Sequence, residues 1–142
     1  YGLTLMNQQL FVPVLGQGLY DITSQVVSEV SRSGIDDGLV TLSIQHTSAS
    51  LLIQENADPA VQTDLKNWLD RLVPENDSLY THVDEGPDDM PAHIKAALTA
   101  VNLSIPIMQG ALTLGVWQGI YLWEHRHRQG AQRQLILNIQ SG

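Results

Sequence analysis

Cysteine is absent from the 142-residue chain. That removes disulfides, thiolate zinc sites and a cysteine nucleophile from consideration. Cations are scarce: seven Lys and Arg stand against fifteen Asp and Glu, a formal net charge of -8. Such a chain repels a phosphate backbone, so nucleic acid is excluded as a partner, and any phosphate-bearing small molecule must be held by a few local cations. No apolar run approaches the ~20 residues of a membrane span, which argues against a membrane protein. Tyr1 to Leu15 also lacks the basic start and apolar block of a signal peptide, so the expected location is cytoplasmic. There is no GxSxG elbow, no Walker loop, no GxGxxG and no HExxH.

What is present is alternation. Leu10, Val12 and Val14 alternate in an N-terminal strand within residues 3–15. Val40, Leu42, Ile44 and His46 share one face of a strand over 38–46. Further strands are predicted over 103–107, 111–117, 119–126 and 133–140, with turns at Met108-Gln109-Gly110 and Arg128-Gln129-Gly130. Asp21 or Thr23 caps a helix that stops at Gly34. Asp58-Pro59 opens a helix over 59–72 with Val61, Leu65, Trp68, Leu69 and Leu72 as its apolar stripe. Residues 74–90 read as a long polar loop, followed by a short helix from about Met90 to Leu98, capped by Asp88 or Asp89. Gly115 to Gly119 reads as a bend or bulge. The length fits one domain over residues 1–142. The fold class predicted is α+β, with mostly antiparallel, sandwich-like sheets and two or three flanking helices.

Three polar clusters interrupt these patterns. His46 ends an apolar strand face and runs into Thr47, Ser48 and Ser50, then Glu55 and Asn56, like the rim of a pocket. The plain alternative is a core histidine bonded to a backbone carbonyl. The loop from Tyr80 to His93 holds His82, Asp84, Glu85, Asp88, Asp89 and His93, a mixture of imidazole and carboxylate that suits a divalent cation such as zinc. A solvated acidic turn with capping aspartates is the competing explanation. Glu124 and Arg126 follow Ile120 and Leu122 on one strand face, where Arg126 can grip a phosphate through its planar fork. A weak surface ion pair is the alternative there. His125 points to the other face, and His127, Arg128 and Arg133 read as solvated turn residues.

Six blocks occur in a telling order: His46-Thr-Ser-Ala-Ser50, Gln54-Glu-Asn-Ala-Asp-Pro59, Tyr80-x-His82, Glu85 through His93, Leu103-Ser-Ile-Pro-Ile107 and Leu114 through Arg126. Together they resemble the YjbQ family, whose members are described as secondary thiamine-phosphate synthases. The resemblance spans essentially the whole chain. It departs at Val116, where the family commonly has Thr. It implies a homotrimer and a polar site around His46, His82 and His93, taken as ligands of a divalent metal, zinc or magnesium, with no organic cofactor. It also implies a transferase that joins an aminopyrimidine methyl diphosphate to a thiazole phosphate with release of diphosphate. In that reaction Glu55, Glu85 and Glu124 are candidates for proton transfer and Arg126 for the leaving group. Ser48, Asn56, Asp88, Gln118 and Arg126 are candidates for holding a small-molecule phosphate substrate. The other functions weighed are a metal-dependent hydrolase or lyase on another small anion, and a non-catalytic metal- or ligand-binding trimer.

Overall fold

Residues 5–127 and 130–142 are described by a computed structural model. The rest of the Arg128–Gly130 turn and residues 1–4 lie outside it. The element order is β1 (Leu5–Val14), β2 (Gly18–Asp21), α1 (Thr23–Ser33), β3 (Gly38–Ile44), β4 (Ala49–Glu55), α2 (Pro59–Leu72), α3 (Asp89–Leu98), β5 (Asn102–Met108), β6 (Ala111–Leu112), β7 (Gln118–Glu124) and β8 (Ala131–Ser141). The strands form a five-stranded sheet, β1-β8-β3-β5-β6, and a three-stranded sheet, β2-β7-β4. Every named pairing is antiparallel. The fold is therefore α+β. No helix among the described residues is long and apolar enough to cross a membrane.

Strand alternation explains the core. On β3, Val40, Leu42 and Ile44 are buried; on β8, Leu135, Leu137 and Ile139; on β7, Ile120 and Leu122. These inner faces share one hydrophobic cluster with Val26 and Val30 of α1. The outer face of the small sheet carries a second cluster, in which Trp123 packs with Leu69, Val73, Leu52 and Ile94. Sequence and structure agree closely on α2, where Asp58 is the N-cap and its carboxylate accepts the Ala60 N–H at 2.9 Å. The β5–β6 hairpin turns on Gln109 and Gly110, both at positive φ (51° and 78°), the backbone a tight two-residue loop requires.

Several expectations need correction. β4 and β2 were not anticipated; the run after His46 folds as a strand with Ala49 and Leu51 in the core. The strand expected over 111–117 is only two residues long, because Gly115 N–H bonds the Gln118 side chain (2.7 Å) and closes a turn. The N-cap of α1 is Ile22, with no side-chain cap bond; Asp21 instead accepts the Thr23 N–H at 2.9 Å. On α2, Trp68 and Leu72 are exposed rather than part of the core stripe.

Candidate metal and anion site

Three core-facing rows end in polar residues at one corner of the fold. Two residues past Ile44 comes His46, two past Leu122 comes Glu124, and two before Leu135 comes Arg133. The β3–β8 register pairs Ile44 with Leu135, so His46 falls opposite Arg133. β4 begins beside Glu124, with Ala49 as its partner. Arg133 is therefore buried, which corrects its reading as a solvated turn residue. Its Nε donates to Glu124 Oε2 at 2.8 Å and its Nη2 to Oε1, forming a two-pronged ion pair, while Nη1 lies 2.8 Å from His46 Nε2. The expected Glu124–Arg126 pair does not form, because the carboxylate is fully buried and engaged by Arg133.

The second wall comes from α3 and the loop before it. Asp89 opens α3, and His93 follows one turn later on the same face. The loop returns His82 to the same point. Asp89 Oδ2 lies 2.7 Å from His82 Nε2 and 3.2 Å from His93 Nε2, and one donor atom from each of the three residues falls within 4.8 Å of the others. His93 Nδ1 lies 3.1 Å from the Thr47 carbonyl. A carbonyl only accepts, so Nδ1 carries the proton and Nε2 turns its lone pair toward the Asp89 carboxylate. Two lone pairs facing each other repel unless a second proton or a metal ion lies between them. A histidine anchored through its other nitrogen is the usual arrangement for a metal ligand. The donor set of two imidazoles and one carboxylate thus fits a divalent ion, and fits zinc better than the all-oxygen preference of magnesium.

Arg126 ties this wall to the sheet. Its Nη1 donates to Asp89 Oδ1 at 2.6 Å, its Nε to Asp88 Oδ2 at 2.9 Å and its Nη2 to the Glu85 carbonyl at 2.9 Å. Burial pushes both aspartates up. For Asp89 the His82 hydrogen bond and the Arg126 charge outweigh it; for Asp88 the Arg126 hydrogen bond does, so both carboxyls sit below their ordinary range. The Asp88 hydrogen bond raises Arg126 in return. Neither aspartate caps α3 through its side chain: Asp88 is the N-cap residue, but its carboxylate takes Arg126 and the His127 N–H (3.0 Å) instead. On the sheet side, burial and then the Arg133 charge push His46 down, so its ring is held neutral.

One cavity of about 290 Å³ is lined by His46, Thr47, Ser48, His82, Glu85, Asp89, His93, Arg126 and Arg133. The structure thus brings together His46, His82, His93, Ser48, Glu85 and Arg126 from the sequence candidates. His46 is not among the three clustered donors; Asp89 holds the third position. Asp88 stands behind Arg126, and Glu124 behind Arg133. Glu55, Asn56 and Gln118 lie at the other end of β4 and β7 and do not reach the cavity within this chain. Their side chains bond locally: Glu55 to the Ala57 N–H, Asn56 to the Val116 and Gln118 carbonyls, Gln118 to the Gly115 N–H. Sequence reasoning missed Arg133 and undervalued Asp89. Counting back in twos from Leu135 would have found the first, and the i, i+4 spacing to His93 the second.

The chain is similar to known proteins over nearly its whole length. The family model described as "UPF0047 protein YjbQ-like" matches residues 8–142. A UPF0047 protein of Synechocystis is 49% identical over 92% of this chain and 88% of its own length. The UPF0047 protein YjbQ of Salmonella typhimurium is 42% identical over 87% of this chain and 89% of its own. Among solved structures, an uncharacterized conserved protein of the yjbq/upf0047 family from Clostridium acetobutylicum is 37% identical, with a TM-score of 0.80 over 94% of this chain and 98% of that one. A YbjQ-like protein of unknown function from Sulfolobus solfataricus has a TM-score of 0.88 over 99% and 100% of the two chains; at 23% identity it speaks for the fold alone.

Proposed function

The chain belongs to the YjbQ-like UPF0047 family, and on that footing we propose that the cavity binds a divalent metal, zinc before magnesium, and acts on a small phosphate-bearing molecule. The observation that carries this is the His93 ring. Its Nδ1 is fixed by the Thr47 carbonyl, and its Nε2 is aimed at a carboxylate oxygen that His82 also approaches. The metal, when bound, would supply Lewis-acid charge to a phosphate oxygen. The need for that charge is local. Arg126 and Arg133 line the cavity, but each is already paired with carboxylates inside the protein.

The chain's own residues have definite parts in this reading. His82, Asp89 and His93 hold the ion. Arg126 orients Asp89 and keeps it ionised, so it is a positioning residue for the metal wall. Ser48 fixes His46 through its backbone N–H. Glu85, exposed at the cavity mouth with its carboxylate 3.9 Å from Arg126, is the carboxylate free to take a proton from substrate. The finer proposal is the synthase reaction, in which a thiazole nitrogen attacks the methylene carbon of the aminopyrimidine as diphosphate leaves. Its support is the sequence resemblance. A cavity of about 290 Å³ lies at the small end of ligand pockets, roughly 300–1,000 Å³, so two substrates would need space beyond one chain. The homotrimer is proposed with it, since a neighbouring subunit would supply that space.

Metal analysis of purified protein tests the reading first. We expect about one zinc per chain, lost in His82→Ala, Asp89→Asn and His93→Ala. Retention of the metal in all three variants overturns the site. Turnover is then measured on metal-loaded protein with thiamine precursors and with simple phosphate esters. Release of diphosphate from the precursors supports the synthase; turnover of esters alone replaces it with a hydrolase. Light scattering that gives a monomer mass at micromolar concentration removes the trimer.

A further inference from the structure

The sheet wall of the cavity contains a hydrogen-bonding conflict. His46 Nδ1 accepts the backbone N–H of Ser48 at 3.0 Å, and its Nε2 faces Arg133 Nη1 at 2.8 Å. A neutral imidazole has one lone pair and one N–H, so it cannot accept at both nitrogens. The Ser48 donor belongs to the backbone beside β4 and cannot turn away. The tautomer that satisfies Ser48 carries its proton on Nε2, where it meets a guanidinium that has only donors. Arg133 cannot retreat, because Nε and Nη2 are clamped by the buried Glu124 carboxylate. Of its five N–H groups, Nε, one on Nη2 and one on Nη1 are directed at these two side chains; the remaining two have no partner among the described residues. Two donors, both lining the cavity, thus converge where the protein supplies no acceptor.

We propose that His46 Nε2–H and Arg133 form an anion-binding subsite that takes a phosphoryl oxygen, placed across the cavity from the His82–Asp89–His93 wall. An anionic oxygen beside Nη1 and Nε2 accepts from both donors and removes the conflict. Glu124 is the positioning residue: it fixes the guanidinium and leaves its outer N–H groups for the ligand. Arg126, the arginine the sequence singles out for phosphate, has less to offer. Four of its N–H groups are directed at Asp88, Asp89 and the Glu85 carbonyl. The subsite deepens the reading of the same cavity, yet it binds without the metal.

The test uses metal-stripped full-length protein and inorganic phosphate. Calorimetric titration is expected to show binding to wild type. Arg133→Lys keeps a cation on Glu124 but removes the fork, and is expected to weaken phosphate roughly tenfold or more. The double variant Glu124→Gln/Arg133→Gln removes the buried charge pair as a unit and should bind no phosphate, which covers the case in which the lysine variant misfolds. A readout that needs no variant is the ¹⁵N spectrum of the His46 ring. Phosphate should leave it neutral, protonated at Nε2, with a marked shift at that nitrogen. The proposal is overturned if stripped wild type binds no phosphate, if Arg133→Lys binds as wild type does, or if the His46 ring does not respond. Failure of the wild type to retain any metal would sink the metal site and leave these three results free to stand.

Discussion

The last residue of β7 and the one after it contrast two ways of burying a polar group. Glu124 ends the inner face of the strand and is fully buried; His125 ends the outer face and is 1% exposed. Both Glu124 oxygens accept from the Arg133 fork. The His125 ring has one hydrogen bond among the described residues, to Ser50 Oγ at 2.9 Å, and its Nδ1 has no partner there. Burial accordingly pushes its pKa down to about 3, with the nearby Lys95 charge adding to the effect. The inner face leads to the cavity that Arg133 lines. The outer face is sealed beneath Trp123, whose ring lies 5.2 Å from the imidazole. A buried titratable group that lacks a charged partner is held in its neutral form.

Breaking the inner arrangement should have the largest effect. Arg133→Ala leaves Glu124 buried and unpaired, and we expect a loss of about 3–5 kcal/mol in urea unfolding. The double variant Glu124→Gln/Arg133→Gln should recover much of it, and an Arg133→Ala loss under about 1 kcal/mol would show that the pair is not buried as described. Next in size is the metal wall. His82→Ala or His93→Ala should abolish zinc retention on a chelator column with the circular dichroism spectrum unchanged, since neither side chain belongs to either hydrophobic cluster.

The outer face is tested by acid. His125 is neutral in the folded state down to about pH 3, whereas in the unfolded chain it takes a proton below about 6.5. The unfolded state then binds more protons, so stability falls as pH drops through this window. Between pH 6.5 and 5 the contribution is about 1.6 kcal/mol. Relative to wild type, His125→Gln should lose that part of the slope; parallel curves for the two proteins would refute the assignment. The depressed Asp88 and Asp89 act at lower pH, below their unfolded values near 3.8, so the two effects separate. The smallest effect is expected from Glu55→Gln at the far end of the sheet: within about 0.5 kcal/mol, with unchanged zinc affinity. A large loss of metal there would mean that a neighbouring subunit brings Glu55 to the site.

Much of this was legible as period-two alternation. The rows ending at His46 and Glu124 could be read directly, as could α2 from Asp58-Pro59. Arg133 escaped because it precedes its apolar row and follows a turn, so proximity to Arg128-Gln129-Gly130 outweighed parity. β4 escaped because Ser50, Gln54 and Glu55 gave it a polar look, although Ala49 and Leu51 face the core. Asp89 was assigned to capping, a local role, while its carboxylate serves Arg126 and two histidines from other elements. Propensity rules describe neighbours along the chain, and each of these residues is claimed by partners distant in sequence.

The contact between His93 Nδ1 and the Thr47 carbonyl has a consequence for how this protein can change over time. The group that orients the ring is a peptide oxygen, present whatever side chain stands at position 47. Thr47→Ala therefore leaves the orientation intact, and an alanine scan would pass over the position without a signal. What selection can act on here is the path of the main chain between Ile44 and Ala49. A one-residue insertion or deletion in that short connection should disable the site as thoroughly as loss of a ligand, while substitutions at Thr47 accumulate unnoticed.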